Sequence, residues 1–554
     1  MRHPENHVLT KEAAFSSNFY QSDKIFKNYL KKYVSDESIS YMQEKLDKLG
    51  EDAATVMDAL SQDADKNGPE LIKRTPYGED LDHINFHPSY WILLDIAAKS
   101  EMLYVKYNPE LRKRFADDRH KLGFAAGQIF AMSELGQYCP LCMTDGAAYV
   151  IDRHCSDEIK NRLIPKLSSR EGDTLFTGAM YLTEKAGGSD VGANRAMAVR
   201  RDDDEYKLIG EKWFCSNANA DVILALARTD TLMLGTKGLS LFLVEKHLET
   251  GERNPMEIIR LKEKMGVRSM ATAEVLFDGT TGKLIGREGE GFKILAEMIN
   301  MSRLYNAVAA VAGMRRAVVD AWQYLNYRVT FGKTAVEHPL IREKFYEIGS
   351  KYTAGFLLVW RAIRAMDAAE KGDEREKTLL RILTPMAKWW TAEKSVHMVR
   401  DCMELMGGNG YIEDFVMPKL FRDVNVLPIW EGSGNIIVLD ILRAIHKTDA
   451  LEILVEEIRS KSDKRMNSKL DKILAIIASF EGDPDVTETT SKPLFELLIH
   501  LYQITLLKQE LDEKNSGWIK PSIDYLTDEL NPDIDLKRAP GLGKVAKLIG
   551  WDIL

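Results

Sequence analysis

The hydrophobic period of this chain changes twice, and those changes limit what it can fold into. From about Ser38 to Arg170 apolar residues recur at helical spacing, with broad apolar faces at 89–97 and 122–132. From about Gly172 to Gly286 the texture is short apolar or alternating segments. Residues 176–182, 197–200, 206–210, 222–227, 239–244 and 273–277 read as strands, separated by turn signals such as Asp202-Asp203-Asp204 and Asp278-Gly279. Helical periodicity returns near Gly291 and holds to Lys447, with long candidates at 307–327, 342–371 and 377–406. Residues 448–554 are again helical in texture, broken at Glu481-Gly482-Asp483-Pro484-Asp485, while residues 1–35 are polar and read as an arm lying over the surface. The expected fold class is mainly α with a central antiparallel β domain. The expected division is an arm and helical domain (1–170), a β domain (171–288), a helical domain (289–447) and a helical extension (448–554).

Composition excludes several classes. A chain of 554 residues is too long for one core. Hydrophobic content of 45% and charged content of 29% are those of a soluble globular protein. A net charge of −9 provides no general attraction to nucleic acid or anionic membrane, and no apolar run is long enough to span a bilayer. The start, Met1-Arg2-His3-Pro4-Glu5-Asn6-His7, lacks the apolar region of a secretory signal. Five cysteines, an odd and sparse set, imply a reducing compartment, so a cytoplasmic location is expected. Cys139-Pro140-Leu141-Cys142 has redox-motif spacing without a second pair. His83 and His87 lie four apart without a metalloprotease motif, so no metal is expected. Gly541-Leu542-Gly543-Lys544 imitates a dinucleotide loop with no strand before it.

Five stretches suit chemistry. In Ile429-Trp430-Glu431-Gly432-Ser433-Gly434-Asn435 a carboxylate is followed by glycines and then a helix. Glycine admits close backbone approach, the helix start offers free N–H groups, and apolar neighbours would raise the pKa of Glu431 toward that of a general base. Taken alone, the same residues also suit a helix-capping turn with a surface carboxylate. Met180-Tyr181-Leu182-Thr183-Glu184-Lys185-Ala186-Gly187-Gly188-Ser189-Asp190 ends a strand in a glycine-rich loop whose hydroxyls and N–H groups could meet an anionic cofactor, or form an ordinary hairpin. In Lys212-Trp213-Phe214-Cys215-Ser216, Phe214 and Ser216 share one side of a strand, where one could pack on a flat ring and the other bond its edge. Arg328-Val329-Thr330-Phe331-Gly332 closes a helix with an arginine suited to phosphate. Gly407-Gly408-Asn409-Gly410-Tyr411 is a glycine-rich helix end.

In this order around a β domain, these stretches resemble the acyl-CoA dehydrogenase family. Thr183-Glu184 with Gly188-Ser189-Asp190 matches the family's TE-x-x-x-GSD loop; Arg328, Phe331 and Gly332 match R-x-x-FG. Gly407, Gly408, Gly410 and Tyr411 match GG-x-G-[FY], and Trp430-Glu431-Gly432-Ser433 matches [YW]-EG-[TS]. Phe86-His87-Pro88, Lys212-Trp213-Phe214, the run from Ile429 to Ile436 and the C-terminal extension are similar to the AidB-like branch.

The resemblance implies FAD between the β domain and the C-terminal helices of a homotetramer. Met180, Leu182, Thr183, Ser189, Phe214 and Ser216 fall on positions touching flavin or pyrophosphate. Arg328, Phe331, Gly407 and Gly408 fall on positions reaching a neighbouring subunit's FAD, and Ser433 and Asn435 on positions flanking the cofactor. Ser189, Arg303 and Gly432 fall on substrate-binding positions. Glu431 falls on the base that takes the α-proton of an acyl-CoA while flavin N5 takes the β-hydride, giving a trans-2-enoyl thioester. The family's alternative base position is Ser302 here. Glu404 stands where many members carry glutamine. An electron-transfer flavoprotein or another acceptor would reoxidise the flavin. Two other readings remain: an AidB-type protective flavoprotein on DNA, and an acyl-CoA binder with vestigial activity. Residues 447–554 carry 15 Lys and Arg against 20 Asp and Glu, which argues against DNA, although Lys461, Lys464, Arg465, Lys469 and Lys472 cluster.

Overall fold

The computed structural model describes residues 18–202, 204–480, 484–530 and 541–550. They form two compact units, one built from residues 56–130 and 134–305, the other from the segments up to 55, 131–133 and from 306 onward.

The first of these carries the main sheet and a separate hairpin. A hairpin of β1 (Glu70–Arg74) and β2 (Asp80–Asn85) interrupts the region expected to be wholly helical. Its alternation is masked by charge: Lys73 extends from β1 to pair with Asp82 at 2.7 Å and to donate to the Ile258 carbonyl at 2.8 Å. The main sheet has seven strands, β3 (Gly178–Tyr181), β4 (Met197–Arg200), β5 (Glu205–Ser216), β6 (Val222–Arg228), β7 (Leu239–Glu245), β8 (Met256–Leu261) and β9 (Thr272–Ile285). Its order is β3-β6-β4-β5-β9-β7, and β6 also pairs with β7 and β8 with β9, so the sheet curls back on itself. Val222 to Ala227 is an unbroken apolar run because β6 is flanked on both sides and buried on both faces.

Three expectations change here. The sheet is mostly antiparallel, yet β3 and β4 each pair with β6 in parallel. Strand β8 was not anticipated. Asp278-Gly279 is not a turn but a bulge within β9, where the register against β5 slips between Leu208 and Ile209.

The other unit is helical. The long helix Gly291–Tyr327 delivers its second half to this unit, joined by Pro339–Glu370 and Glu374–Leu405. The latter two form a hairpin whose turn is set by Asp373, which caps the second helix by accepting from Glu376 N. The expected surface arm is corrected in part: Phe19–Ser22 and Lys24–Tyr33 are helices, with Ile25, Phe26, Tyr29 and Leu30 buried, and the Phe26 ring lies 5.4 Å from Trp360. Residues 1–17 lie outside the described residues, as does the breaker at 481–483. The extension packs as helices on the same unit. Arg361 forks onto Glu376 and reaches Glu457 at 2.6 Å, and Tyr346 donates to the Pro521 carbonyl at 2.9 Å.

Cys139 and Cys142 sit on the helix Leu135–His154, Cys142 buried and Cys139 half-buried, and none of the five cysteines, all among the described residues, is in a disulfide. His87 caps the helix Pro88–Lys99, and Gly541 precedes the helix Leu542–Ile549. Among the described residues, no helix is long and apolar enough to cross a membrane.

Candidate active site

In the sheet unit the glycine-rich loop is tied down by its own backbone and one carboxylate. Met180 is half-buried on β3. The Leu182 carbonyl accepts from Asn194 Nδ2 at 2.7 Å, and the Thr183 carbonyl accepts from Trp213 N at 2.9 Å, which lays the loop against β5. Glu184 turns inward and accepts from Arg195 N, Ala196 N and Lys212 Nζ at 2.6, 3.1 and 2.7 Å. Burial pushes the Lys212 ammonium below the usual lysine range, opposed by Glu184. Gly187, Gly188, Ser189 and Asp190 are left outward. A Cβ at Gly188 would lie 2.7 Å from Thr183 Oγ1, so a side chain there would displace that hydroxyl.

Along β5, Phe214 is 56% exposed and Ser216 half-exposed, whereas Cys215 between them is buried. Ser216 Oγ lies 3.3 Å from Thr272 Oγ1. Lys262 Nζ stands 5.0 Å from the Phe214 ring centre and 3.6 Å from that of Trp213, and pairs with Glu274. On the long helix Ser302 and Arg303 are buried. Ser302 Oγ finds no protein partner, and Arg303 Nη1 donates to Asn300 Oδ1 at 3.4 Å.

The helical unit holds the second set. The chain leaves the helix Val416–Val424 through a turn in which Trp430 N donates to the Val426 carbonyl, and enters the helix Gly434–Lys447 with Ile437 N donating to the Ser433 carbonyl. Glu431 is half-buried with φ +57°, and Gly432 follows with φ +102°. Two consecutive left-handed residues reverse the chain; for a glutamate that conformation costs on the order of 1–3 kcal/mol. Ser433 and Asn435 are exposed beside it.

Arg328 leaves the long helix exposed, its Nη1 3.0 Å from the Tyr324 hydroxyl and 3.4 Å from the Met406 carbonyl. Gly407, at φ +63°, has no atom but Arg328 Nη1 (3.5 Å) within 4 Å of a built Cβ, and Gly408 has none. Asn409 Nδ2 donates to the Tyr324 hydroxyl at 2.9 Å, completing the group. Phe331 is 98% exposed at φ +50°, at the tip of the Val329–Thr330/Lys333–Thr334 hairpin. Glu404, also exposed, is paired with Arg400.

The expected residues therefore gather in two sets. Met180, Leu182, Thr183, Ser189, Phe214 and Ser216, with Arg303, belong to the sheet unit. Arg328, Phe331, Gly407, Gly408, Glu431, Gly432, Ser433 and Asn435 belong to the helical unit. Sequence reasoning assigned no role to Glu184, Lys212, Asn194 or Asn217, whose Nδ2 holds the Gly178 carbonyl from a left-handed backbone. It also missed Asn306 and Lys388, which donate to the Leu427 and Gly432 carbonyls. The one available signal was Asn217 directly after a strand, a residue tolerant of positive φ.

Three family models match: the acyl-CoA dehydrogenase C-terminal domain over 289–446, the acyl-CoA dehydrogenase middle domain over 179–280, and the adaptive response protein AidB N-terminal domain over 10–174. The chain is 33% identical to acyl-CoA dehydrogenase family member 11 of Caenorhabditis elegans over 77% of its own length and 70% of that protein's. It is 33% identical to the putative acyl-CoA dehydrogenase AidB of Escherichia coli over 80% of both. Among solved structures it resembles C. elegans ACDH-11 in complex with C11-CoA, with a TM-score of 0.88 at 28% identity, covering 97% of this chain and 95% of that one. It also resembles Bd2924 in its apo form, with a TM-score of 0.84 at 31% identity, covering 90% and 99%. With its dehydrogenase middle and C-terminal domains preceded by an AidB-type N-terminal domain, the chain belongs to the acyl-CoA dehydrogenase family of flavoproteins, oxidoreductases acting on CH–CH bonds.

Proposed function

We propose that this protein is an FAD-dependent acyl-CoA dehydrogenase with Glu431 as its base. The observation that carries the reading is the left-handed backbone of Glu431, a strained glutamate held at the entrance of a helix. Strain of this kind persists where the surroundings over-determine it, most often at working sites.

The residues present fit FAD. Phe214 offers an exposed ring face, Thr183, Ser189 and Ser216 offer hydroxyls, and a side chain at Gly188 would crowd the Thr183 hydroxyl. Arg328 beside the bare backbone of Gly407 and Gly408 suits a diphosphate, and Phe331 is free to meet the same dinucleotide in a second subunit. The last point favours a homotetramer in which each FAD is shared.

Bound FAD supplies a hydride acceptor at N5 for the substrate β-carbon. Glu431 takes the α-proton, the Cα–Cβ bond becomes double, and the product is a trans-2-enoyl thioester. The Glu431 N–H holds the thioester oxygen and stabilises the enolate charge that develops there. Ser189 and Arg303 of the sheet unit and Gly432 of the helical unit are the residues this reading assigns to acyl-CoA by their motif positions. The C11-CoA in the C. elegans relative makes medium-length acyl chains the first to try. An electron-transfer flavoprotein is the acceptor class expected to complete the cycle.

The DNA reading finds less support. Within the basic cluster of the extension, Asp463 and Asp471 intervene and pair with Lys508 and Arg459, and Arg465 donates to the Thr527 carbonyl. The deciding experiment is anaerobic titration with acyl-CoAs of graded length. Bleaching of the bound flavin supports the proposal; spectral perturbation without bleaching by any of them favours the vestigial binder.

A further inference from the structure

The segment bearing Glu431 is fastened at both ends by buried polar side chains from two different helices. Asn306, 4% exposed on the long helix Gly291–Tyr327, donates Nδ2 to the Leu427 carbonyl at 3.0 Å. Lys388, 1% exposed on Glu374–Leu405, donates Nζ to the Gly432 carbonyl at 2.7 Å. Between these anchors the backbone makes short turn bonds, Ile429 N and Trp430 N both donating to the Val426 carbonyl. Glu431 and Gly432 then take consecutive positive φ values. Beyond them a Cβ at Gly434 would lie 3.4 Å from the Trp389 indole Nε1, so the residue after Lys388 packs beside the next step of the backbone.

Burying an ammonium is costly unless it is well partnered, and a neutral side chain would fill the same space more cheaply. The Gly432 carbonyl belongs to the residue next to the proposed base. Its direction depends on the φ of Gly432, and hence on the turn that aims Glu431. A charge-assisted donor is about twice as strong as a neutral one, enough to offset a left-handed glutamate. Nothing in the family motifs predicts either donor, because Asn306 and Lys388 lie 125 and 43 residues before Glu431 in the chain.

We infer that Lys388 and Asn306 are positioning residues that set the Glu431 carboxylate for α-proton abstraction by clamping the carbonyls at the two ends of its turn. The inference rests on Glu431 being the base. Lys388→Met removes the donor at similar volume, Lys388→Arg retains a cationic donor, and Asn306→Ala offers an independent, smaller change. Each is made in the full-length flavoprotein, alone and with Glu431→Gln. Misplacement of a reacting group by about 1 Å costs about 100-fold in rate. Lys388→Met should therefore slow flavin bleaching by an acyl-CoA tenfold to a hundredfold. The acyl-CoA concentration that half-perturbs the flavin spectrum should move less than threefold. Lys388→Arg should recover part of the rate, and adding Lys388→Met to Glu431→Gln should slow the residual rate no further. Independently of turnover, amide hydrogen exchange across 429–435 should accelerate in Lys388→Met and in Asn306→Ala, with exchange across 450–461 unchanged.

If Glu431→Gln bleaches as fast as the unmutated protein, the assignment of the base fails. If Glu431→Gln is slow while Lys388→Met and Asn306→Ala bleach within twofold of the unmutated protein, the clamp fails and the base stands. Unchanged exchange at 429–435 in both variants overturns the clamp even where no acyl-CoA bleaches the flavin.

Discussion

Lys212 Nζ lies 2.7 Å from Glu184 Oε1, with the lysine side chain wholly shielded from solvent and the glutamate 8% exposed. This pair joins the glycine-rich loop after β3 to the strand that carries Phe214 and Ser216. The acidic residue of the loop motif therefore serves the architecture, while Gly188 and Ser189 are left exposed.

Removing one partner of such a pair leaves a buried charge without compensation, at about 3–5 kcal/mol. Glu184→Gln should lower the melting temperature and release flavin during gel filtration. A variant that keeps its full flavin absorbance and melting temperature would show that the pair does not hold the loop.

Glu431→Gln keeps size and hydrogen-bonding capacity but removes the base. Flavin reduction by a good acyl-CoA should fall by about 10²–10⁴-fold. Flavin content, and the spectral shift on acyl-CoA binding, should persist. Stopped-flow absorbance under anaerobic conditions reads both.

Arg328 is exposed beside the open backbone of Gly407 and Gly408, and Phe331 projects fully into solvent nearby in sequence. Arg328→Ala should weaken FAD retention and tetramer assembly together, read by light scattering and by the flavin-to-protein absorbance ratio. A stable monomer that retains FAD would exclude a shared site. Denaturation should release FAD, not FMN.

Arg315 is fully buried and forks onto Asp23, at 2.7 and 2.8 Å, while donating to the Ile549 and Gly550 carbonyls at 2.6 and 3.2 Å. One guanidinium thus ties the start of the Lys24–Tyr33 helix to the end of the Leu542–Ile549 helix. Asp23→Asn should cost about 3–5 kcal/mol and speed hydrogen exchange at both helices, leaving the β domain unaffected.

His120 is held well below the usual imidazole range, first by burial and then by the charges of Arg119, Lys106 and Arg112. It stays neutral in the folded protein, whereas the unfolded chain takes up its proton near pH 6.5. Stability should thus be unaffected by this group above that pH and fall below it, by up to about 1.4 kcal/mol per pH unit. Denaturant unfolding between pH 7.5 and 5 should show that slope, and His120→Asn should flatten it.

The sequence alone determined the layout. The two changes of period separate strands from helices, because alternation and 3.6-residue recurrence are local properties of side-chain direction. The expected helices at 342–371 and 377–406 match Pro339–Glu370 and Glu374–Leu405 to within three residues, and 307–327 covers the C-terminal part of Gly291–Tyr327. The candidate stretches could be picked out because glycines, hydroxyls and a carboxylate fall close together along the chain. What depended on distant partners was not legible. The parallel pairing of β3 with β6, the bulge at Gly279 and the β1–β2 hairpin are settled by which strand lies alongside, not by the strand's own residues. Glu184 reads as part of a ligand loop until Lys212, 28 residues on, claims its carboxylate. Lys388 carries no signal of its own in the sequence, and the fold buries it against the Gly432 carbonyl. A buried charge is tolerated only where a specific partner meets it, and only the tertiary structure decides which partner arrives.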